Sequence, residues 1–171
     1  DSNCVGCGQC AAVCPTGAII IKNDSHRLWK ELNQEDTIAV AQVAPAVRVA
    51  VAKEFGYNGE NVMGKIVAAL RRIGFNYIFD TSTAADLTVM EESKEFADRL
   101  ANGGKLPLFT SCCPAWSMLA KKYFPDIIDS VSQELTPMVA TARSIKKKYP
   151  NSKVVFIGPC AAKKLEASRR T

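Results

Sequence analysis

From Thr37 onward, short apolar runs alternate with longer stretches of helical periodicity. The runs Ile38 to Val43, Tyr77 to Phe79, Leu106 to Phe109 and Val154 to Ile157 predict strands. Between them the spacing predicts helices over Val62 to Ile73, Ala84 to Leu100, Ala115 to Phe124 and Pro137 to Tyr149. In the second of these helices Leu87, Met90, Phe96 and Leu100 give an apolar face, and Glu91, Glu92, Glu95 and Asp98 an acidic one. Gly74 is placed to stop the first helix, and Asp80 or Thr81 to cap the next. Strand and helix in this alternation predict an α/β fold, a parallel sheet with flanking helices. Residues 1–25 have a different texture, rich in Cys and Gly and closed by Ala18-Ile19-Ile20-Ile21. We therefore divide the chain into a small cluster-binding segment (1–25), a polar linker (26–36) and an α/β region (37–171). Within the linker His26 is expected on the surface and Trp29 packed against a neighbour. There is no internal repeat.

The composition narrows the function. Of 171 residues 47% are apolar and 23% charged, as in ordinary globular domains, and no run approaches the roughly 18 apolar residues of a membrane span. The net charge of +5 comes partly from Lys146-Lys147-Lys148, Lys163-Lys164 and Arg169-Arg170. These groups are scattered and lack interleaved aromatics, which argues for solvated helix faces and against nucleic acid. The seven cysteines are unusual: an odd number cannot close into internal disulfides. Their close spacing, with no signal peptide, predicts reduced thiolates holding metal in a reducing, cytoplasmic compartment.

Four cysteines form the run Cys4-Val-Gly-Cys7-Gly-Gln-Cys10-Ala-Ala-Val-Cys14-Pro15, the bacterial ferredoxin spacing for a 4Fe-4S cluster. Two-residue gaps let three thiolates wrap one face of a cubane, while glycines bring backbone amides near the sulfurs. Cys14 serves a neighbouring cubane in two-cluster ferredoxins, and here no upstream partners for it exist, so a longer or processed protein is expected. Structural zinc is the alternative, disfavoured by the internal Gly-Cys-Gly and the closing Cys-Pro.

The remaining cysteines recur in one context. Phe109-Thr110-Ser111-Cys112-Cys113-Pro114-Ala115-Trp116 and Ile157-Gly158-Pro159-Cys160-Ala161-Ala162-Lys163-Lys164-Leu165-Glu166 each run from an apolar strand into a helix. Cysteines there lie at the carboxyl ends of strands and at helix N-termini, where open α/β sheets bind ligands and the helix dipole favours an anionic one. Elsewhere a Cys-Cys doublet alone is ordinary core filling. Two such cysteines behind a ferredoxin motif point instead to a shared metal site.

TSCCPAW and PCAAKKLE resemble the first two signatures of the iron-only (FeFe) hydrogenase family, and Ala44-Pro45-Ala46-Val47-Arg48 resembles its segment beside the active-site cofactor. The resemblance runs from the family's second ferredoxin motif to just past its second signature. It implies half of an H-cluster domain behind a ferredoxin-like module. The reaction it implies is reversible reduction of protons to hydrogen. The H-cluster is a 4Fe-4S cubane joined to a diiron unit with CO, cyanide and azadithiolate. Cys113 and Cys160 match two cubane ligands; the other two belong to a third signature absent from this sequence, so a missing C-terminal portion or second subunit is expected as a partner, with ferredoxin or another redox protein supplying electrons. Lys163 matches a lysine donating to a cyanide ligand. Ala44, Pro45 and Ala46 match residues lining the cofactor. Cys112 matches the thiol that first gives up a proton, followed by Glu92, Ser132 and Glu95, with Arg99 at the outer mouth. Glu92, Glu95 and Arg99 stand at i, i+3 and i+7, one face of a helix. Beside the pocket, Gly158 replaces the family's frequent Met, and Met138 after Pro137 replaces Gln, which implies altered packing around the diiron unit.

Two other function classes fit parts of this pattern. A non-catalytic or sensory hydrogenase-like iron-sulfur protein, such as a cluster-assembly relative, would keep the cubanes, although those relatives usually lack the Cys112 thiol. A ferredoxin-type carrier fused to an α/β domain would leave the later cysteines structural.

Overall fold

The computed structural model describes residues 2–168, so Arg169 and Arg170 lie outside the described residues. In chain order its elements are α1 (Gln9–Val13), α2 (Ser25–Leu32), β1 (Ala39–Val43), α3 (Pro45–Glu54), α4 (Met63–Ile73), β2 (Tyr77–Asp80), α5 (Ser82–Asn102), α6 (Pro114–Tyr123), a 3-10 helix (Pro125–Ser130), α7 (Pro137–Lys148), β3 (Lys153–Ile157) and α8 (Ala161–Ser168). They fall into two compact units: Asn23–Ala84 with Met138–Pro159, and Asp1–Lys22 with Ala85–Pro137 and Cys160–Thr171.

The first unit holds a three-stranded parallel sheet in the order β2-β1-β3, the α/β arrangement expected. β1 is central and fully buried, which is why its sequence, Ala39-Val40-Ala41-Gln42-Val43, is apolar except for Gln42. On one face Ala39, Ala41 and Phe75 pack with Leu28, Leu32, Leu70 and Ile157. The other face carries Gln42, whose Nε2 donates to the Met138 carbonyl of α7 at 3.2 Å. Val40 is 0% exposed. Val40→Ala is therefore expected to cost about 2 kcal/mol, read as a lower urea midpoint with an unchanged slope.

Three sequence-based expectations are corrected. The polar stretch after residue 25 contains a helix, α2, because Leu28 and Leu32 at i, i+4 bury against the sheet; Trp29, expected to pack, is half exposed. α3 replaces a segment read only as a motif: Pro45 stands at its first turn, and the valines that follow hide its helical period. Leu106 to Phe109 adds no strand to the sheet. Pro107 has no N–H to donate, and only Phe109 pairs, in a single parallel bridge with Val131. A fourth point concerns α5, whose apolar face of Leu87, Met90, Phe96 and Leu100 is exposed. Its inward stripe is instead polar, with Thr88 buried and Glu95 and Arg99 mostly so. His26 is exposed, as expected.

In the second unit α6 packs on α8, and the end of α6 holds the N-terminal loop. Lys122 Nζ donates to the carbonyls of Ser2 and Cys4, and Tyr123 OH to that of Asn3 at 2.9 Å. No helix among the described residues is long and apolar enough to cross a membrane.

Candidate active site

Cys4 and Cys7 lie on an exposed loop whose turns are made by Gly6 and Gly8, both at positive φ (72° and 82°), where a side chain is strained, and the exposed Cys10 follows in α1. That geometry aims the Gly6 N–H at Cys4 Sγ, 3.3 Å away. Cys14 follows α1. The Thr16 hydroxyl, 3.5 Å from its sulfur, and then backbone amides including those of Ile19 and Thr16 lower its thiol to about 7. The amide aimed at the Cys4 sulfur and the donors around Cys14 suit the sulfur ligands that an iron-sulfur cubane requires. Among the described residues no three Cys, His, Asp or Glu side chains are gathered into a metal-ion site. In the metal-free chain, alkylation of Cys14 should rise with pH through about 7, because the thiolate is the nucleophile. Thr16→Val should move that rise to higher pH, as mapped by mass spectrometry of the labelled peptide.

Cys113 is the N-cap residue of α6, with Pro114 next in the helix, and Cys160 directly precedes α8; both thiols are free and exposed. The expected helix N-termini are therefore present, although the strand expected before Cys112 is not. Lys163, on α8 and 18% exposed, donates through Nζ to the Cys112 carbonyl at 3.2 Å and pairs with Glu166 at 3.4 Å. That lysine ties the doublet to the helix carrying Cys160. Two free thiols at packed helices with a half-buried ammonium suit an anionic iron-sulfur group.

The carboxylate stripe of α5 meets polar partners in the same unit. Glu95 Oε2 accepts from Ser132 Oγ at 2.6 Å, and Glu95 Oε1 accepts from Arg99 Nε and Nη2 at 3.1 and 2.6 Å. Arg99 Nη1 donates to the carbonyls of Lys105 and Asp129. A cleft of about 440 Å³, lined by Glu91, Lys94, Asp98 and Arg99 among others, opens beside this group. Deeper along α5, Glu92 Oε1 accepts from the Ser111 N–H at 3.3 Å, one residue before Cys112. Among the described residues no hydrogen bond joins Glu92 to the Cys112 thiol. Sequence reasoning missed Ser111 as a contact, although it stands inside the TSCCPAW motif, and missed Lys122 and Tyr123, which nothing near the cysteines signals.

The other unit contains Ala44, Pro45, Ala46, Met138 and Gly158, while Pro137, first residue of α7, closes the cysteine-bearing unit. Ala44 is the N-cap residue of α3 and buried, whereas Pro45 and Ala46 are exposed. Met138 is buried, its carbonyl engaged by Gln42. Gly158 is required by its neighbour: a Cβ there would stand 2.4 Å from the Phe156 ring and 3.3 Å from Ala44 Cβ. The absent side chain at 158 and the present ring of Phe156 are one packing choice.

Residues 37–171 match the family described as "Iron only hydrogenase large subunit, C-terminal domain", and residues 1–20 the "4Fe-4S binding domain". The chain is 42% identical to the NADP-reducing hydrogenase subunit HndD of Solidesulfovibrio fructosivorans over 99% of its own length and 32% of that protein. A solved structure of a variant of the FeFe hydrogenase HydA1 from Chlamydomonas reinhardtii superposes with a TM-score of 0.77 at 36% identity, covering 86% of this chain and 40% of that one. Cytosolic iron-sulfur assembly component 3 of Rattus norvegicus is 28% identical over 98% of this chain and 39% of that protein. The chain thus spans from 29% to 50% of the length of the first curated relatives it matches.

Proposed function

Because the chain belongs to the family of iron-only hydrogenase large subunits, we propose that it forms the electron-receiving and proton-delivering part of a hydrogenase catalytic subunit, completed by further polypeptide. The observation that carries this reading is the ordered polar stripe of α5, which runs from the Arg99–Glu95–Ser132 group to Glu92 and the peptide beside Cys112. When bound, the H-cluster supplies the redox-active iron at which protons and electrons combine to hydrogen. Around it the chain has four tasks. Cys113 and Cys160 would hold the cubane, Lys163 would donate to a cyanide ligand, Ala44 to Ala46, Met138 and Gly158 in their own unit and Pro137 in the cysteine-bearing one would be cofactor-lining residues, and Cys112 would give and take the proton. Glu95 takes up a proton from solvent at the cleft beside Arg99 and hands it from Oε2 to Ser132 Oγ. The hydroxyl of Ser132, both donor and acceptor, passes it inward toward Glu92.

Residues 1–25 act as the ferredoxin-like segment, with cubane ligands Cys4, Cys7 and Cys10 and with Cys14 reserved for a neighbouring cluster; residues 26–36 connect it to the region 37–171. Free thiols and low-potential clusters suit a reducing, cytoplasmic setting, with ferredoxin or a similar redox protein as donor. The 28% identical assembly component supports a second reading, in which the chain keeps cubanes without turnover. Infrared spectroscopy of the chain, matured together with the C-terminal portion that completes the cluster site, separates the two. Stretches from CO and cyanide are expected; iron and sulfide in cubane ratio without them support the second reading, and zinc alone defeats both.

A further inference from the structure

The N-terminal loop is seated on α8 by two glycines. A Cβ at Gly8 would stand 2.8 Å from Ala161 Cβ, and one at Gly6 would stand 3.2 Å from Leu165 Cδ2, one helical turn further along α8. No side chain fits between Gly8 and Ala161. In the tighter contact both residues are covalently adjacent to a thiol, each assigned to a different cluster: Gly8 follows Cys7, and Ala161 follows Cys160. The Lys122 and Tyr123 bonds to the carbonyls of Ser2, Asn3 and Cys4 hold the same loop from the α6 side. Gly17 offers the comparison within this segment. It too has positive φ, 65°, yet has open space where its Cβ would be. Left-handed backbone alone therefore does not explain the close approach at Gly8.

We infer that the Gly8–Ala161 contact is the electron junction between the two cluster sites, a path Cys7–Gly8···Ala161–Cys160 containing a single through-space step, its length set by the missing side chain. This rests on the cluster assignments proposed above. One electron crosses the contact, oxidising the cubane on Cys4, Cys7 and Cys10 by one and reducing the cubane on Cys113 and Cys160 by one. No bond forms or breaks, and dithionite or a reduced ferredoxin replaces the electron. Gly8 and Ala161 are positioning residues here, since neither touches a reacting atom.

The test uses the chain matured with its completing portion, in four forms: unsubstituted, Gly8→Ala, Ala161→Val and Gly17→Ala. Iron and sulfide are measured first, and their absence from the unsubstituted protein would defeat the cluster assignments rather than this junction. The readouts are the magnetic interaction between the two reduced cubanes, by electron paramagnetic resonance, and the rate at which the second site is reduced after rapid mixing with dithionite. Gly8→Ala and Ala161→Val are each expected to weaken the magnetic interaction and to slow that reduction several-fold at unchanged iron content. Gly17→Ala, with the same backbone strain and no contact, is expected to do neither. Should Gly8→Ala lose its cluster, Ala161→Val carries the test, because it lengthens the contact from the α8 side without strain in the loop. An unchanged rate in both, an equal slowing in Gly17→Ala, or loss of iron from both contact variants overturns the junction; the last would make the contact a structural clasp only.

Discussion

If the proposed function holds, Cys112→Ala in the chain matured with its completing portion is expected to abolish rapid hydrogen turnover, by about 100-fold or more, while leaving cluster content intact. The reason lies in what the substitution keeps. The Cys112 carbonyl still accepts from Lys163 Nζ, and the preceding Ser111 N–H still donates to Glu92, because both contacts are made by backbone atoms. The thiol is exposed and buries no volume that alanine would fail to fill. Only the group able to give and take a proton is lost. Hydrogen evolution with dithionite-reduced mediator measures the effect, and iron analysis with infrared spectra of the same sample checks that the site is still built. Normal turnover in that sample would remove Cys112 from the proton path. Loss of the CO and cyanide bands would make it a residue of cluster assembly.

What the sequence made legible follows from how local each signal is. β1 could be read directly, since a central parallel strand must be apolar on both faces, and its neighbours β2 and β3 followed from short apolar runs of the same kind. The cysteine spacing and the two helix starts after Cys113 and before Ala161 were equally local. The failures were tertiary. Leu28 and Leu32 gave too weak a stripe to reveal α2 amid polar neighbours, and Pro107 turned an apolar run into a single bridge. On α5 the periodicity marked an apolar and an acidic face but not which turns inward, and the polar face does so because Ser111, Ser132 and the carbonyls of Lys105 and Asp129 satisfy it. An interior stripe of that kind breaks the usual amphipathic rule only where each charged group finds a partner distant in sequence. The clasp of the N-terminal loop by Lys122 and Tyr123, more than a hundred residues away along the chain, leaves no trace in local periodicity.

Glu95 is where that inverted stripe can be tested for function and for stability at once. Its two oxygens are divided, Oε1 to Arg99 and Oε2 to Ser132, and the side chains of Glu95 and Arg99 are only 21% and 16% exposed. Glu95→Leu leaves the guanidinium with two carbonyls and no anion, and leaves the Ser132 hydroxyl without its acceptor. The expected cost is about 3 kcal/mol, the range for stranding a largely buried charge partner. Glu95→Gln behaves differently. Its carbonyl oxygen can still accept from Arg99, and its amide can donate to Ser132 Oγ, which then serves as acceptor, so the loss should be about 1 kcal/mol. The amide, however, takes up no proton. Both variants should therefore slow hydrogen turnover by a similar ~100-fold in the matured protein, although their urea midpoints differ clearly. A stable Glu95→Gln protein with undiminished turnover would reduce Glu95 to a clamp between α5 and the Ser132 loop. Equal loss of rate in two variants of unequal stability cannot come from unfolding, and places the proton itself on this carboxylate.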